Sequence, residues 1–152
     1  MLYPGAFDPH PVLRPYLGVA PVTNPWLEPW QRWDTLHFQA IAERGYGAYD
    51  SSLFSPFLYP LLIRLVADTI GGDTLLAGLI VSNLAYLVAL IYLYRLATME
   101  TGQEIARRSI LYLALFPTAF FLLAAYTESL FLLTTVAALY YARQKRWLAA
   151  GA

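Results

Sequence analysis

Residues 75–97, LLAGLIVSNLAYLVALIYLYRLA, contain no Asp, Glu, Lys, Arg or His before Arg95. An α-helix rises about 1.5 Å per residue, so roughly 20 apolar residues cross the ~30 Å hydrocarbon core of a bilayer. The stretch predicts a transmembrane helix, and the chain built around it is expected to be an all-α polytopic membrane protein. Helices suit that setting because they satisfy their own backbone hydrogen bonds in lipid. Ser82, Asn83 and Tyr86 cluster within about one turn and are expected to face protein. Composition leans the same way. Hydrophobic residues make up 59% and charged residues 13% of the 152, with mean hydropathy +0.49. An ordinary soluble domain is about 25% charged.

Downstream, the polar run METGQEIARR reads as a loop. Apolar runs then flank Tyr126-Thr127-Glu128-Ser129, and together they are too long for one crossing. They predict two further transmembrane helices, about 108–125 and 129–145, joined by a tight turn at Glu128. Arg107, Arg108 and Arg143 would then snorkel at the ends. In this arrangement Arg95, Arg107, Arg108, Arg143, Lys145 and Arg146 all fall on one side, which marks that side as cytoplasmic.

Upstream, residues 57–70, FLYPLLIRLVADTI, would reach only about 21 Å as a helix. Pro60, Arg64 and Asp68 interrupt the run, so it reads as an interfacial helix and not as a span. Arg64 and Asp68 lie four apart and share a polar face. Residues 34–44 fit a helix closed by Gly45, with Asp34 placed to cap it. Residues 48–56 read as loop, and residues 1–33 as a proline-rich loop with a turn at Asn24-Pro25 and Pro29 in the first turn of a short helix. The opening MLYPGAFDPHPVLRPY has neither the basic start nor the apolar core of a signal peptide. The expected organisation is an external segment over 1–74 followed by a membrane segment over 75–152. No span precedes the external segment and another apolar run starts at Trp147, so the chain is expected to be a truncated piece of a larger protein.

The chemistry-bearing residues concentrate in RWDTLHFQAIAERGY, residues 32–46, at the water–lipid boundary of this scheme. Asp34 and His37 sit among Trp33 and Phe38. Trp26, Trp30 and Trp33 recur at helical spacing and suit interfacial anchors, with sugar stacking as the alternative. Asp34 reads either as a helix cap or as an acid–base carboxylate, and His37 as a packed residue or an acid–base partner. Glu128 is either a solvated turn residue or part of a site wall. Other chemistries are excluded or disfavoured. Zero net charge without a Lys/Arg run leaves no field for nucleic acid. The absence of cysteine removes disulfides and thiol chemistry, and two histidines, His10 and His37, argue against a His-built zinc site.

RWDTLHFQAIAERGY, then SPFLYPLLIRL, then FPTAFFLLAAYTESLF, in this order and spacing, resemble the PIG-V-type mannosyltransferases, the second mannosyltransferases of GPI-anchor assembly and their prokaryotic homologues. The resemblance covers about residues 24–152, and its most specific part is Trp33-Asp34 with His37-Phe38 and Glu43-x-Gly45-Tyr46. It implies a GT-C-like polytopic fold and transfer of mannose from a polyprenyl- or dolichyl-phosphate carrier to a glycolipid or glycan acceptor at the external face. Asp34 matches the catalytic acid of the first external loop. A base there would take the acceptor hydroxyl's proton while the bond from sugar to phosphate breaks. Arg32, His37 and Arg44 are nearby candidates for the departing phosphate, and the helix over 57–70 with Arg64 for the carrier chain. Trp33 and Glu128 complete the expected substrate-binding set. The implied partners are membrane lipid, the lipid-phosphate sugar as co-substrate and the acceptor. The resemblance obliges no metal. The implied location is the endoplasmic reticulum membrane in a eukaryote or the plasma membrane in a prokaryote, with the Asp34 loop lumenal or external.

The competing reading is a non-enzymatic membrane protein, either a transporter segment or an inactive truncated product. A transporter is expected to place ionisable residues near mid-bilayer. Residues 75–94 hold none, which weighs against the transporter and leaves the inactive product as the alternative.

Overall fold

The computed structural model describes residues 19–20, 22, 24–47 and 57–151. Of the loop expected over 1–33, residues 1–18, 21 and 23 lie outside the described residues, His10 among them, as does the loop expected over 48–56. Helices are the regular elements among those described: α1 (Asp34–Arg44), α2 (Leu58–Thr69), α3 (Thr74–Thr101), α4 (Gln103–Leu115), α5 (Phe120–Leu123), α6 (Glu128–Arg143) and α7 (Trp147–Ala150). The chain is therefore all-helical there, and α3 is the one helix among them long and apolar enough to cross a membrane.

Two compact units are present, one holding the chain up to Val81 together with Ala124–Tyr126, the other Ser82–Leu123 and the chain from Thr127. In the first unit α1 packs on α2. The Phe38 and Tyr59 rings meet edge to face, with centroids 5.1 Å apart and planes at 84°. Leu36, Ala40, Ile63 and Ala67 are buried around them. The expectation of a helix over 57–70 holds nearly to the residue, and its two faces differ. Tyr59, Pro60, Ile63 and Ala67 point inward. Phe57, Leu58, Leu61 and Leu65 form an exposed apolar stripe, the pattern of a helix lying in an interface. Gly71 and Gly72 both take φ of +92, a region that suits glycine, and turn the chain into α3. Asp73 caps α3, its Oδ1 accepting the Leu76 amide proton at 2.9 Å.

Glu100 and Thr101 do not break α3, contrary to the loop expected over METGQEIARR. The helix runs on to Thr101, Gly102 turns it with φ +87, and α4 starts at once. Glu104 and Arg108, four apart, form an ion pair on its surface, which explains why a charged stretch stays helical. The continuous helix expected over 108–125 is broken. Phe116 is extended, with φ −65 and ψ 138, because the ring of Pro117 excludes helical backbone at the residue before it. A turn and the short α5 follow. The last carbonyls of α5 lack helical partners; the Ser129 hydroxyl donates to Leu122, and Asn83 Nδ2 donates to Leu123 at 3.0 Å. Ser82 and Tyr86 are buried as expected, whereas Asn83 is exposed and engaged with that carbonyl. Tyr92 of α3 and Tyr141 of α6 share a hydroxyl–hydroxyl hydrogen bond of 2.8 Å. Arg143 forms an ion pair with Glu100.

Candidate functional site

The stretch 24–47 folds as a turn, a tightened bend and a helix. Asn24 opens it as expected, its side chain accepting the Trp26 amide and its carbonyl the amides of Leu27 and Glu28. Pro29 lies in the 3-10 turn Glu28–Trp30. The tryptophans do not share a helix, because the chain bends before α1. Trp33 has φ 46 and ψ −124, a conformation that crowds the Cβ of a bulky residue and costs about 1–3 kcal/mol. Trp33 is 66% exposed, so burial of its own ring does not offset that cost. Neighbouring bonds hold the bend. The Arg32 carbonyl accepts the Thr35 amide at 3.1 Å and the Tyr126 hydroxyl at 3.5 Å. The Thr35 hydroxyl donates to the Ala125 carbonyl at 3.4 Å.

This bend decides the role of Asp34. The cap position belongs to Trp33, and no side chain caps α1. Asp34 is the first helical residue, exposed, and its carboxylate has no hydrogen bond or ion pair among the described residues. The expected capping role is thus absent.

His37 lies one turn further on, half-buried and on the same side of α1 as Asp34. Arg32 is half-buried and lies just before the strained bend. Arg44 is at the far end of α1, about 15 Å along the axis from Asp34, so the two do not act on one atom. Arg64 is exposed on α2. Arg32, Arg44 and Arg64 pair with no carboxylate among the described residues, so Arg64 and Asp68, though four apart, do not pair. Glu128 heads α6 in the second unit. It borders a cavity of about 290 Å³ whose walls are largely apolar, among them Leu113, Phe116 and Phe121. Among the described residues, no three His, Asp or Glu side chains gather as a metal-binding group.

Sequence reasoning passed over the polar side chains beneath the site. Gln31, Gln39 and Thr74 are buried and hydrogen-bonded to one another in sequence, ending on Glu43. The available signal was Gln39 itself, an amide between Phe38 and Ala40 on the inward face of an apolar helix. A buried amide needs partners.

Comparison with known proteins gives one consistent answer. The chain matches the mannosyltransferase (PIG-V) family over residues 5–149. It is 31% identical over 124 residues to "GPI mannosyltransferase 2" of Cryptococcus neoformans var. neoformans serotype D, strain JEC21, covering 76% of this chain and 29% of that protein. The protein of the same name from strain B-3501A matches with the same figures. The chain thus spans about 29% of the length of these curated relatives. No solved structure matches it. The match runs through the strained bend, α1 and the helices after it, and the chain belongs to the mannosyltransferase (PIG-V) family.

Proposed function

We propose that this chain is the catalytic-loop region of a polytopic membrane mannosyltransferase that moves mannose from a polyprenyl- or dolichyl-phosphate carrier to a glycolipid or glycan acceptor. Asp34 is the base. The observation that carries this reading is the Asp34 carboxylate itself, exposed at the head of α1 and not engaged in capping. In the transfer, the acceptor hydroxyl oxygen bonds to the sugar's anomeric carbon as the carbon–oxygen bond to phosphate breaks. The proton passes to Asp34, and the bonding electron pair leaves on the phosphate. His37 and Arg32 stand close in sequence to receive that charge. Arg64 on α2 is the further cation for the carrier's phosphate, and the stripe of Phe57, Leu58, Leu61 and Leu65 its apolar support. Trp33 offers an aromatic face to the sugar, and Arg44 binds at the far end of α1.

Residues 1–74 form the external or lumenal segment in this reading, and α3, the α4–α5 segment and α6 are the membrane segment. The basic residues from Arg95 to Arg146 face the cytoplasm. The setting is the endoplasmic reticulum membrane, or the plasma membrane of a prokaryote. A lipid-bound sugar requires a site at this boundary, because the carrier stays in the bilayer and the sugar stays in water.

The test of donor class uses membranes containing the full-length parent protein. Labelled polyprenyl-phosphate mannose is expected to yield mannosylated product. GDP-mannose is expected to yield none once carrier mannosylation is blocked. The reverse pattern would overturn the donor assignment.

A further inference from the structure

A directed string of hydrogen bonds runs under α1. Gln31 donates to the Ala20 carbonyl at 2.8 Å and to Gln39 Oε1 at 3.3 Å, while its own Oε1 accepts the Val22 amide at 2.9 Å. Gln39 Nε2 donates to Thr74 Oγ1 at 3.0 Å, and the Thr74 hydroxyl donates to Glu43 Oε1 at 2.7 Å. A hydroxyl has one proton. Because that proton goes to Glu43, only the lone pairs of Thr74 remain for Gln39, and the whole string has one sense. Thr74 is free for this because its neighbour Asp73 caps α3.

Gln39 and Glu43 are four apart on α1, so they lie one above the other and grip a single hydroxyl from both sides. A slip of α1 by one residue along its axis is about 1.5 Å and would break both bonds. Asp34 is five residues before Gln39 on the same rigid helix, so whatever fixes Gln39 fixes the height of Asp34. Reacting groups are sensitive on this scale: a misplacement of about 1 Å costs on the order of 10²-fold in rate.

We infer that Gln39, Thr74 and Glu43 are positioning residues that set the height of α1 against the first turn of α3 and so place Asp34 at the acceptor hydroxyl. The inference rests on Asp34 being the base.

The test compares Thr74→Val, which keeps the shape and removes the hydroxyl, with Thr74→Ser, which keeps it, in the full-length parent protein. Thr74→Val is expected to lower kcat about 10- to 100-fold with donor KM within about twofold, whereas Thr74→Ser stays near wild type. Glu43 is exposed, so its variants do not threaten folding. Glu43→Leu is expected to repeat the loss and Glu43→Gln, which keeps an acceptor oxygen, to retain activity. A second readout needs no catalysis. In an Asp34→Cys background, labelling by a charged maleimide is expected to change severalfold with Thr74→Val and not with Thr74→Ser. Equal kcat and equal labelling for the Val and Ser variants would overturn the inference. If Asp34→Asn transfers mannose normally, the base assignment fails by itself, while a labelling difference would still support the positioning of α1 by Thr74.

Discussion

The Tyr59 hydroxyl donates to the Gly78 carbonyl at 3.2 Å, which ties α2 to the first turns of α3. A Cβ built on Gly78 would lie 2.9 Å from the Cβ of Ala125 and 3.5 Å from Ile63 Cδ1. Small residues let helices meet in this way, and here the glycine admits both the tyrosine hydroxyl and the Ala125 turn. That turn also receives the Thr35 hydroxyl, so the contact at Gly78 bears on the bend before Asp34.

Gly78→Ala is expected to destabilise the protein by about 1–3 kcal/mol, the usual cost of an added methyl with no space. Unfolding in detergent checks this. Ala125→Gly in the same chain is expected to recover most of the loss; no recovery would place the clash elsewhere.

Trp33→Gly separates strain from function. Glycine accepts the backbone of this bend, so relief of about 1–3 kcal/mol of strain exceeds the roughly 0.5–1 kcal/mol that glycine costs through the unfolded state. Stability is expected to rise by about 1 kcal/mol while mannose transfer falls. A fall in both would mean that the indole packs more than its exposure indicates.

Arg64→Gln is expected to raise the donor KM about tenfold with kcat little changed, as follows from losing one charge-assisted bond to a phosphate. Steady-state kinetics with a lipid-phosphate donor decide it. An unchanged KM would remove Arg64 from the carrier site.

Pro117→Ala is expected to let α4 continue past Leu115, since the constraint on Phe116 is lost. Amide exchange at residues 116–120 is expected to slow. Unchanged exchange would mean that Ser129 and Asn83, through the carbonyls of Leu122 and Leu123, hold the turn without the proline.

The helices α1, α2 and α3 were legible because each carries a local signal: an apolar period, a terminal glycine, or a long charge-free run. The extension of α3 to Thr101 was not, since Glu100 in its last turn pairs with Arg143, 43 residues away; nor was the start of α4, where the Glu104–Arg108 pair sits in residues that composition assigns to a loop. Pro117 lies inside the stretch expected as a helix over 108–125, and the backbone rule for the residue before proline breaks that helix at Phe116. The place of Asp34 at the start of a helix was legible and its freedom from capping was not, because that depends on the torsions of Trp33. Gln39 and Thr74 are 35 residues apart in sequence, and no local pattern announces that they meet.

The most direct measurement is single-turnover mannose transfer by the full-length parent protein carrying Asp34→Asn, alongside photolabelling by a polyprenyl-phosphate donor analogue. If Asp34 takes the acceptor's proton, transfer is expected to fall by at least about 10²–10⁴-fold while labelling stays at the wild-type level. Transfer at the wild-type rate, with the donor bound, would contradict the assignment of Asp34 as the base.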